Sequence, residues 1–315
     1  MNRFPDHARV LFIGDSITCN GRWIAHVYDY YLRHFPDADI RVYNSGISGG
    51  SVTSALRYFE PYNGAQFRPT HAVVMLGMND VGLGLYALGE GEEDFTDKQL
   101  ARRKETIDAY EVGLRRLVEL LEGRGVCVTL VTPTCYDESQ LPRKLDKVGG
   151  EAALEYLGEI NRRLAAEKGL DFVNLHAPFR LLNAACTLIG PDRVHPTPAG
   201  QAVMARLFLA AQGLTDAPQM TDNLTRIEPL LPENQARFAD EQEVRALWNA
   251  EWLLLRDKPQ DVQARLDFMN VYRETAPSDF WRGMADAYLR QNGDLQMALA
   301  REEAALERCL RRETE

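Results

Sequence analysis

Apolar residues along this chain fall into two alternating kinds of run. Short continuous stretches, rich in β-branched residues, occur at Arg9–Ile13, Ile40–Tyr43, Ala72–Leu76, Val126–Val131 and Asp171–Leu175. Being apolar at nearly every position rather than at every second one, they read as strands buried on both faces, as in a parallel sheet. Between them the apolar positions recur at spacings of three and four, the helical period. Trp23 to Arg33 is one such segment and Gln99 to Glu122 is the clearest. Thr96 and Gln99 form a capping-box pattern at its start, Ile107, Leu114, Leu117 and Leu121 lie along one face, and Gly123 ends it. Glu151 to Lys168 is a further amphipathic helix closed by Gly169, and Thr197-Pro198 reads as N-cap and first residue of a helix running through Gly200 to Ala211.

Strand–helix alternation of this kind predicts an α/β fold, a parallel sheet with helices on both faces. The character changes past Ala217. Pro218, Pro229 and Pro232 punctuate a polar connector, and from Glu233 to Glu315 the patterning is helical without strand signals, carried by Trp248, Trp252, Leu255, Leu266, Met269, Leu295, Leu299, Leu306 and Leu310. The division is therefore a first domain over residues 1–217 and a helical C-terminal extension over 218–315. Trp248, Trp252 and Trp281 serve equally well as a small core or as a homo-oligomer interface, and the pattern does not separate the two.

Composition narrows the function classes. The chain has 315 residues, 45% hydrophobic and 26% charged, with a net charge of −10. An acidic surface without a basic cluster repels phosphate backbones, which argues against nucleic-acid binding. No run approaches the roughly 18 apolar residues of a membrane span, and the N-terminus lacks the apolar core of a signal peptide, so the reading is a cytoplasmic protein without a membrane partner. The five cysteines, Cys19, Cys127, Cys135, Cys186 and Cys309, share no CxxC spacing, and Cys127 sits in a predicted strand as a small apolar residue. His7, His26, His34, His71 and His176 show no metal-ligand spacing and read as structural or surface residues.

Four short motifs carry the chemistry: Gly14-Asp15-Ser16, Asn44-Ser45-Gly46-Ile47-Ser48-Gly49, Gly77-Met78-Asn79-Asp80 and Asp192-Arg193-Val194-His195. The first three each follow a predicted strand and the fourth lies beyond the fifth strand, so all four fall on the carboxyl edge of one sheet, where α/β proteins build their sites. They resemble, in order and across roughly residues 9 to 212, the sequence blocks of the SGNH (GDSL-type) hydrolase superfamily. The resemblance implies a flavodoxin-like three-layer sandwich with a five-stranded parallel sheet, here followed by the helical extension. It also implies esterase, lipase, thioesterase or carbohydrate deacetylase activity, with no metal or organic cofactor.

By that resemblance Ser16 is the nucleophile, His195 the base that takes its proton, and Asp192 the carboxylate that fixes the imidazole tautomer. The oxyanion hole combines the backbone N–H of Ser16, the backbone N–H of Gly49 and the side-chain amide of Asn79. Asp15, Asp80 and Asn44 are expected to organise the turns that hold these groups, and Met78 either narrows the pocket or simply packs. Two loops on the active edge are expected to set specificity: residues 81–95, glycine-rich with an acidic run at Glu90 to Asp94, and residues 134–150, with Tyr136, Asp137, Lys144 and Lys147. The acidic run disfavours polyanionic substrates, and no long hydrophobic lid is evident. The expected reaction is hydrolysis of a small ester, with O-acetyl groups on carbohydrates favoured by analogy. The alternatives are a lysophospholipase or acyl-thioesterase, acyl transfer to a sugar, and a non-catalytic binding or scaffold protein working through its helical extension.

Overall fold

The computed structural model describes residues 1–59, 68–88, 94–139 and 147–239, together with scattered positions between 267 and 290. Five parallel strands form one sheet: β1 (Arg9–Gly14), β2 (Arg41–Gly46), β3 (His71–Met75), β4 (Cys127–Val131) and β5 (Asp171–Val173). Their spatial order is β2-β1-β3-β4-β5. The chain steps from β1 to β2 in one direction and returns past β1 to β3. Right-handed crossovers then put the connecting helices on opposite faces and open a crevice at the carboxyl ends of β1 and β3.

The helices are α1 (Ser16–Asn20), α2 (Arg22–His34), α3 (Val52–Phe59), α4 (Asp97–Glu122), α5 (Gly150–Lys168), α6 (His176–Ala185) and α7 (Pro198–Ala211). α2 packs on α7, α3 on α4, and α4 on α5. Phe12 of β1, Trp23 of α2 and Phe208 of α7 are wholly buried and meet edge-on, Phe12 to Trp23 at 5.1 Å between ring centroids and Trp23 to Phe208 at 5.7 Å. From α4, Leu114, Leu117, Val118 and Leu121 are buried, so three positions of the predicted stripe form the packed face while Ile107 is only half-buried, and Tyr110 extends it. Tyr110 donates to Asn161 of α5 at 2.7 Å, and Asn161 donates in turn to the Val131 carbonyl at 3.0 Å, which fastens two helices to the end of β4.

The predicted capping box of α4 is present in full, with Thr96 and Gln99 exchanging hydrogen bonds. Thr197 accepts from the Gly200 N–H at 3.1 Å and caps α7. Strand bounds shift slightly: β2 runs on to Gly46, three residues past its apolar run, because its polar end enters the site region, and β5 stops at Val173. Cys127 opens β4, within the predicted strand, and is exposed, because the strand's first position lies outside the core. His176 is buried, within a helix that the periodicity missed.

The chain divides into two compact units, Met1–Phe238 and Ala239–Glu315. Within the first, the proline-punctuated stretch returns to α2: Arg33 donates to the Pro229 carbonyl at 3.0 Å and Asn234 to Asp29 at 2.7 Å. The C-terminal positions named above from Trp248 to Leu310, Trp281 included, lie outside the described residues, as do Cys309, Lys144 and Glu90 to Glu93. Among the described residues no helix is long and apolar enough to cross a membrane.

Candidate active site

Ser16 is the first residue of α1, immediately beyond the carboxyl end of β1. Asp15 forms the N-cap, its carboxylate accepting the Ile17 N–H at 2.9 Å, so the turn that presents Ser16 is fastened by its own neighbour. The Ser16 Oγ lies 2.7 Å from His195 Nε2, and His195 Nδ1 lies 2.6 Å from Asp192 Oδ2. With Nδ1–H donating to the carboxylate, Nε2 is left to accept from the serine hydroxyl.

The Asp192–His195 turn is held locally. Asp192 Oδ1 accepts the backbone N–H groups of Val194 at 3.0 Å and His195 at 2.9 Å. The turn is closed by Gly190 N–H on the His195 carbonyl at 2.8 Å and Arg193 N–H on the Gly190 carbonyl at 2.9 Å. Arg193 takes φ +67°, a left-handed conformation that costs an ordinary residue about 1 kcal/mol or more, and it is buried. Burial works to raise the Asp192 pKa, but the two backbone donors and the imidazole outweigh it, and the carboxyl sits below its ordinary value.

The other two segments meet it from β2 and β3. Ile47 to Gly50 is a tight turn, closed by Gly50 N–H on the Ile47 carbonyl at 2.8 Å, with Gly49 at φ +73° and exposed. Ile47 N–H bonds the Gly14 carbonyl at 3.0 Å, tying this turn to the end of β1. Asn79, exposed beyond β3, donates from Nδ2 to the Gly50 carbonyl at 2.8 Å. Asn44 accepts the Gly46 N–H at 2.9 Å, and Asp80 accepts the Val52 N–H at 2.9 Å at the start of α3. Each of these supports therefore braces a turn. Burial lifts the Asp15 pKa to about 6; burial, with the Asp15 charge adding to it, lifts that of Asp80 to about 7.

Asn79, Asp192 and His195 line a cleft of about 480 Å³, together with Met78, Leu83 and Lys147. Met78 is otherwise buried, so it both packs and bounds the cleft. Of the specificity candidates, Lys147 lines the cleft, whereas Tyr136 and Asp137 are buried in the scaffold. Asp137 N–H bonds the Arg193 carbonyl at 3.0 Å, and its carboxylate accepts from Asn183 at 3.0 Å. Asn183 also accepts from Leu188 at 2.7 Å and Ile189 at 3.0 Å. Asp137 and Asn183 thus brace the loop that carries His195; nothing local in the sequence marks them for that task. Among the described residues no three His, Cys, Asp or Glu side chains group as a metal site.

A serine hydroxyl on an imidazole, itself held by a carboxylate, at the strand ends of a 2-1-3-4-5 sheet, is an arrangement suited to acyl transfer. Residues 12–203 match the GDSL-like lipase/acylhydrolase family. Over 223 residues the chain is 28% identical to an acetylxylan esterase of Geobacillus stearothermophilus, a match covering 65% of this chain and 94% of that protein. The crystal structure of a catalytic mutant of the G. stearothermophilus acetylxylan esterase Axe2 superposes with a TM-score of 0.54 at 27% identity, covering 69% of this chain and 99% of that one. BT4096, a gut microbial diltiazem-metabolizing enzyme, shares the fold over 98% of this chain and 95% of its own, with a TM-score of 0.64 at 18% identity. By the family match over most of its first unit, the chain belongs to the GDSL-like lipase/acylhydrolase family and is a carboxylic ester hydrolase of the SGNH type.

Proposed function

We propose that this esterase removes O-acetyl groups from carbohydrates by way of a covalent acyl-enzyme on Ser16. The observation that carries the catalytic part is the unbroken chain of contacts from Ser16 Oγ to His195 Nε2 at 2.7 Å and from His195 Nδ1 to Asp192 at 2.6 Å. Ser16 Oγ attacks the ester carbonyl as His195 Nε2 takes its proton, and Asp192 stabilises the imidazolium. Negative charge collects on the former carbonyl oxygen, where the Ser16 and Gly49 N–H groups and the Asn79 amide are the donors. Each such donor lowers the barrier by about 3 kcal/mol. Collapse breaks the bond to the alkoxy oxygen, and His195 returns its proton to the departing alcohol. Water then attacks the acyl-enzyme with His195 again as base, releasing acetate and free serine.

The preference for acetate and for sugars rests on the likeness to the acetylxylan esterase. The test is a p-nitrophenyl ester series from acetate to decanoate with Ser16→Ala beside the wild type, followed by acetylated xylo-oligosaccharides. The expected result is turnover that falls steeply beyond the shortest acyl chains and is abolished in the variant. Rates that climb with chain length would move the assignment to a lysophospholipase or thioesterase. Acetate released unchanged from Ser16→Ala would end the nucleophile assignment.

A further inference from the structure

Lys147 lines the cleft, and among the described residues it has no carboxylate partner. Among the described residues it is the only lysine or arginine lining the cleft it shares with His195, and no Asp or Glu lies within 4 Å of its ammonium. Asp192, the one carboxylate among the lining residues, is committed to His195 and to two backbone N–H groups. The side chain of Lys147 is half-buried, and its ammonium lies 5.7 Å from the Tyr136 ring centroid, within the range of a cation–π contact.

Its backbone is fixed on both sides. Lys147 pairs with Ala87 in an isolated antiparallel bridge, and its carbonyl accepts the Gly150 N–H at 2.8 Å as α5 begins. Gly149 supplies the left-handed φ of +88° that this turn requires. The position is thus held by main-chain bonds that do not depend on the charge. In the cleft the Lys147 side chain lies alongside apolar Met78 and Leu83, and its ammonium, with no carboxylate partner among the described residues, is free to pair with an anionic group on a bound molecule. The protein carries a net charge of −10, so its general field repels anions, and a single cation in the site is a local exception to that field.

We propose that Lys147 recognises a carboxylate on the alcohol side of the ester, so that the preferred substrates are acetylated sugars bearing a uronate group. The inference rests on the esterase reading above. The alcohol side is assigned because the cleft is bounded by Asp192, Val194 and His195, and His195 is the group that protonates the departing alcohol. One carboxylate per sugar is the chemistry that one ammonium fits.

The experiment compares kcat/KM for an acetylated methyl glucuronide with that for the matching methyl glucoside, which differ only in carboxylate against hydroxymethyl. Wild type, Lys147→Met, Lys147→Arg and Lys147→Glu are compared. The wild type is expected to favour the uronate, and that ratio to fall by about fivefold in Lys147→Met, to persist in Lys147→Arg and to invert in Lys147→Glu. An unchanged ratio in Lys147→Met, beside p-nitrophenyl acetate turnover that depends on Ser16, overturns this inference and leaves the esterase reading intact. Turnover independent of Ser16 overturns both. An aryl hemisuccinate compared with the aryl butyrate probes the acyl side, and a Lys147-dependent preference found there instead overturns the alcohol-side assignment.

Discussion

The Asn79 side-chain amide donates to the Gly50 carbonyl at 2.8 Å, joining the end of β3 to the turn after β2. An amide has two N–H groups. One is used to hold the Gly49 turn and the other remains for an oxyanion, so the same residue sets the position of one proposed donor while supplying another. Asn79→Ala is expected to lower kcat by about 10²–10³, with KM changed far less. Asn79→Asp, which keeps the shape but puts a carboxylate against the Gly50 carbonyl and the developing charge, is expected to lose more. Steady-state rates on p-nitrophenyl acetate decide it, and an Asn79→Asp variant as active as wild type would remove Asn79 from the oxyanion hole.

Asp192 has two separable tasks. Its Oδ1 holds the turn through the Val194 and His195 N–H groups, while Oδ2 orients the imidazole. Asn in its place keeps an acceptor for the turn but puts an NH₂ beside Nδ1, which favours the tautomer with Nε2 protonated and unable to accept from Ser16. Asp192→Asn is therefore expected to reduce kcat by about 10²–10⁴ while its melting temperature near neutral pH stays close to that of wild type. The native carboxyl has a depressed pKa, so whatever stability its charge contributes is complete above the unfolded value of 3.8 and is lost as pH falls below it. Relative to Asp192→Asn, which cannot ionise, the wild type is therefore expected to lose melting temperature as pH is lowered to about 3, and melts that stay parallel from neutral pH down to that value would contradict this account.

The sheet and the four site segments were legible because a parallel sheet buried on both faces leaves continuous apolar runs, and α/β sites lie at the ends of those runs. Helix α6 left no such trace. Its first N–H groups, at Leu175 and His176, are both accepted by Thr132 Oγ1 at 2.9 Å, a cap supplied 43 and 44 residues upstream instead of from the preceding position. The cleft wall at Leu83–Tyr86 is a single 3₁₀ turn, too short to show periodicity, and so read as loop. Asp137 and Asn183 brace the His195 loop through bonds between distant segments, which residue spacing does not encode. Lys147 is legible in the sequence as a cation on an edge loop, but that it lines the cleft with no carboxylate partner among the described residues becomes visible only once the chain is folded.

Two glycines in one motif carry opposite constraints. A Cβ on Gly46 would sit 2.2 Å from the Cys19 backbone nitrogen and 2.6 Å from the Thr18 carbonyl carbon, so β2 and α1 approach each other only because that position has no side chain. A Cβ on Gly49 would meet nothing within 4 Å, and the constraint there is the left-handed φ of +73° alone. Gly49→Ala is expected to cost about 1 kcal/mol and to retain activity, since its N–H is unaltered. Gly46→Ala is expected to cost about 3 kcal/mol or more and to displace the α1 turn that presents Ser16. Urea denaturation ranks the two, and equal losses would show that backbone conformation, not close approach, governs both positions.

Asp80 offers a test through pH. Its carboxyl is largely buried, Oδ1 accepts the Val52 N–H at 2.9 Å, and burial with the added charge of Asp15 raises its pKa from 3.8 to about 7. A raised pKa means the folded state binds the proton more tightly than the unfolded chain does. The unfolded chain releases it near 3.8 and the native state only near 7, so this group makes stability fall as pH rises between those values. The limiting slope is about 1.4 kcal/mol per pH unit. Asp80→Asn keeps an acceptor for Val52 and cannot ionise. Its stability relative to wild type is therefore expected to improve steadily from about pH 4 to about pH 7 and to level off above, whatever the constant offset from burying an amide there. Chemical denaturation of both proteins across that range measures it, and parallel profiles would mean that Asp80 is already ionised in the native protein at acid pH.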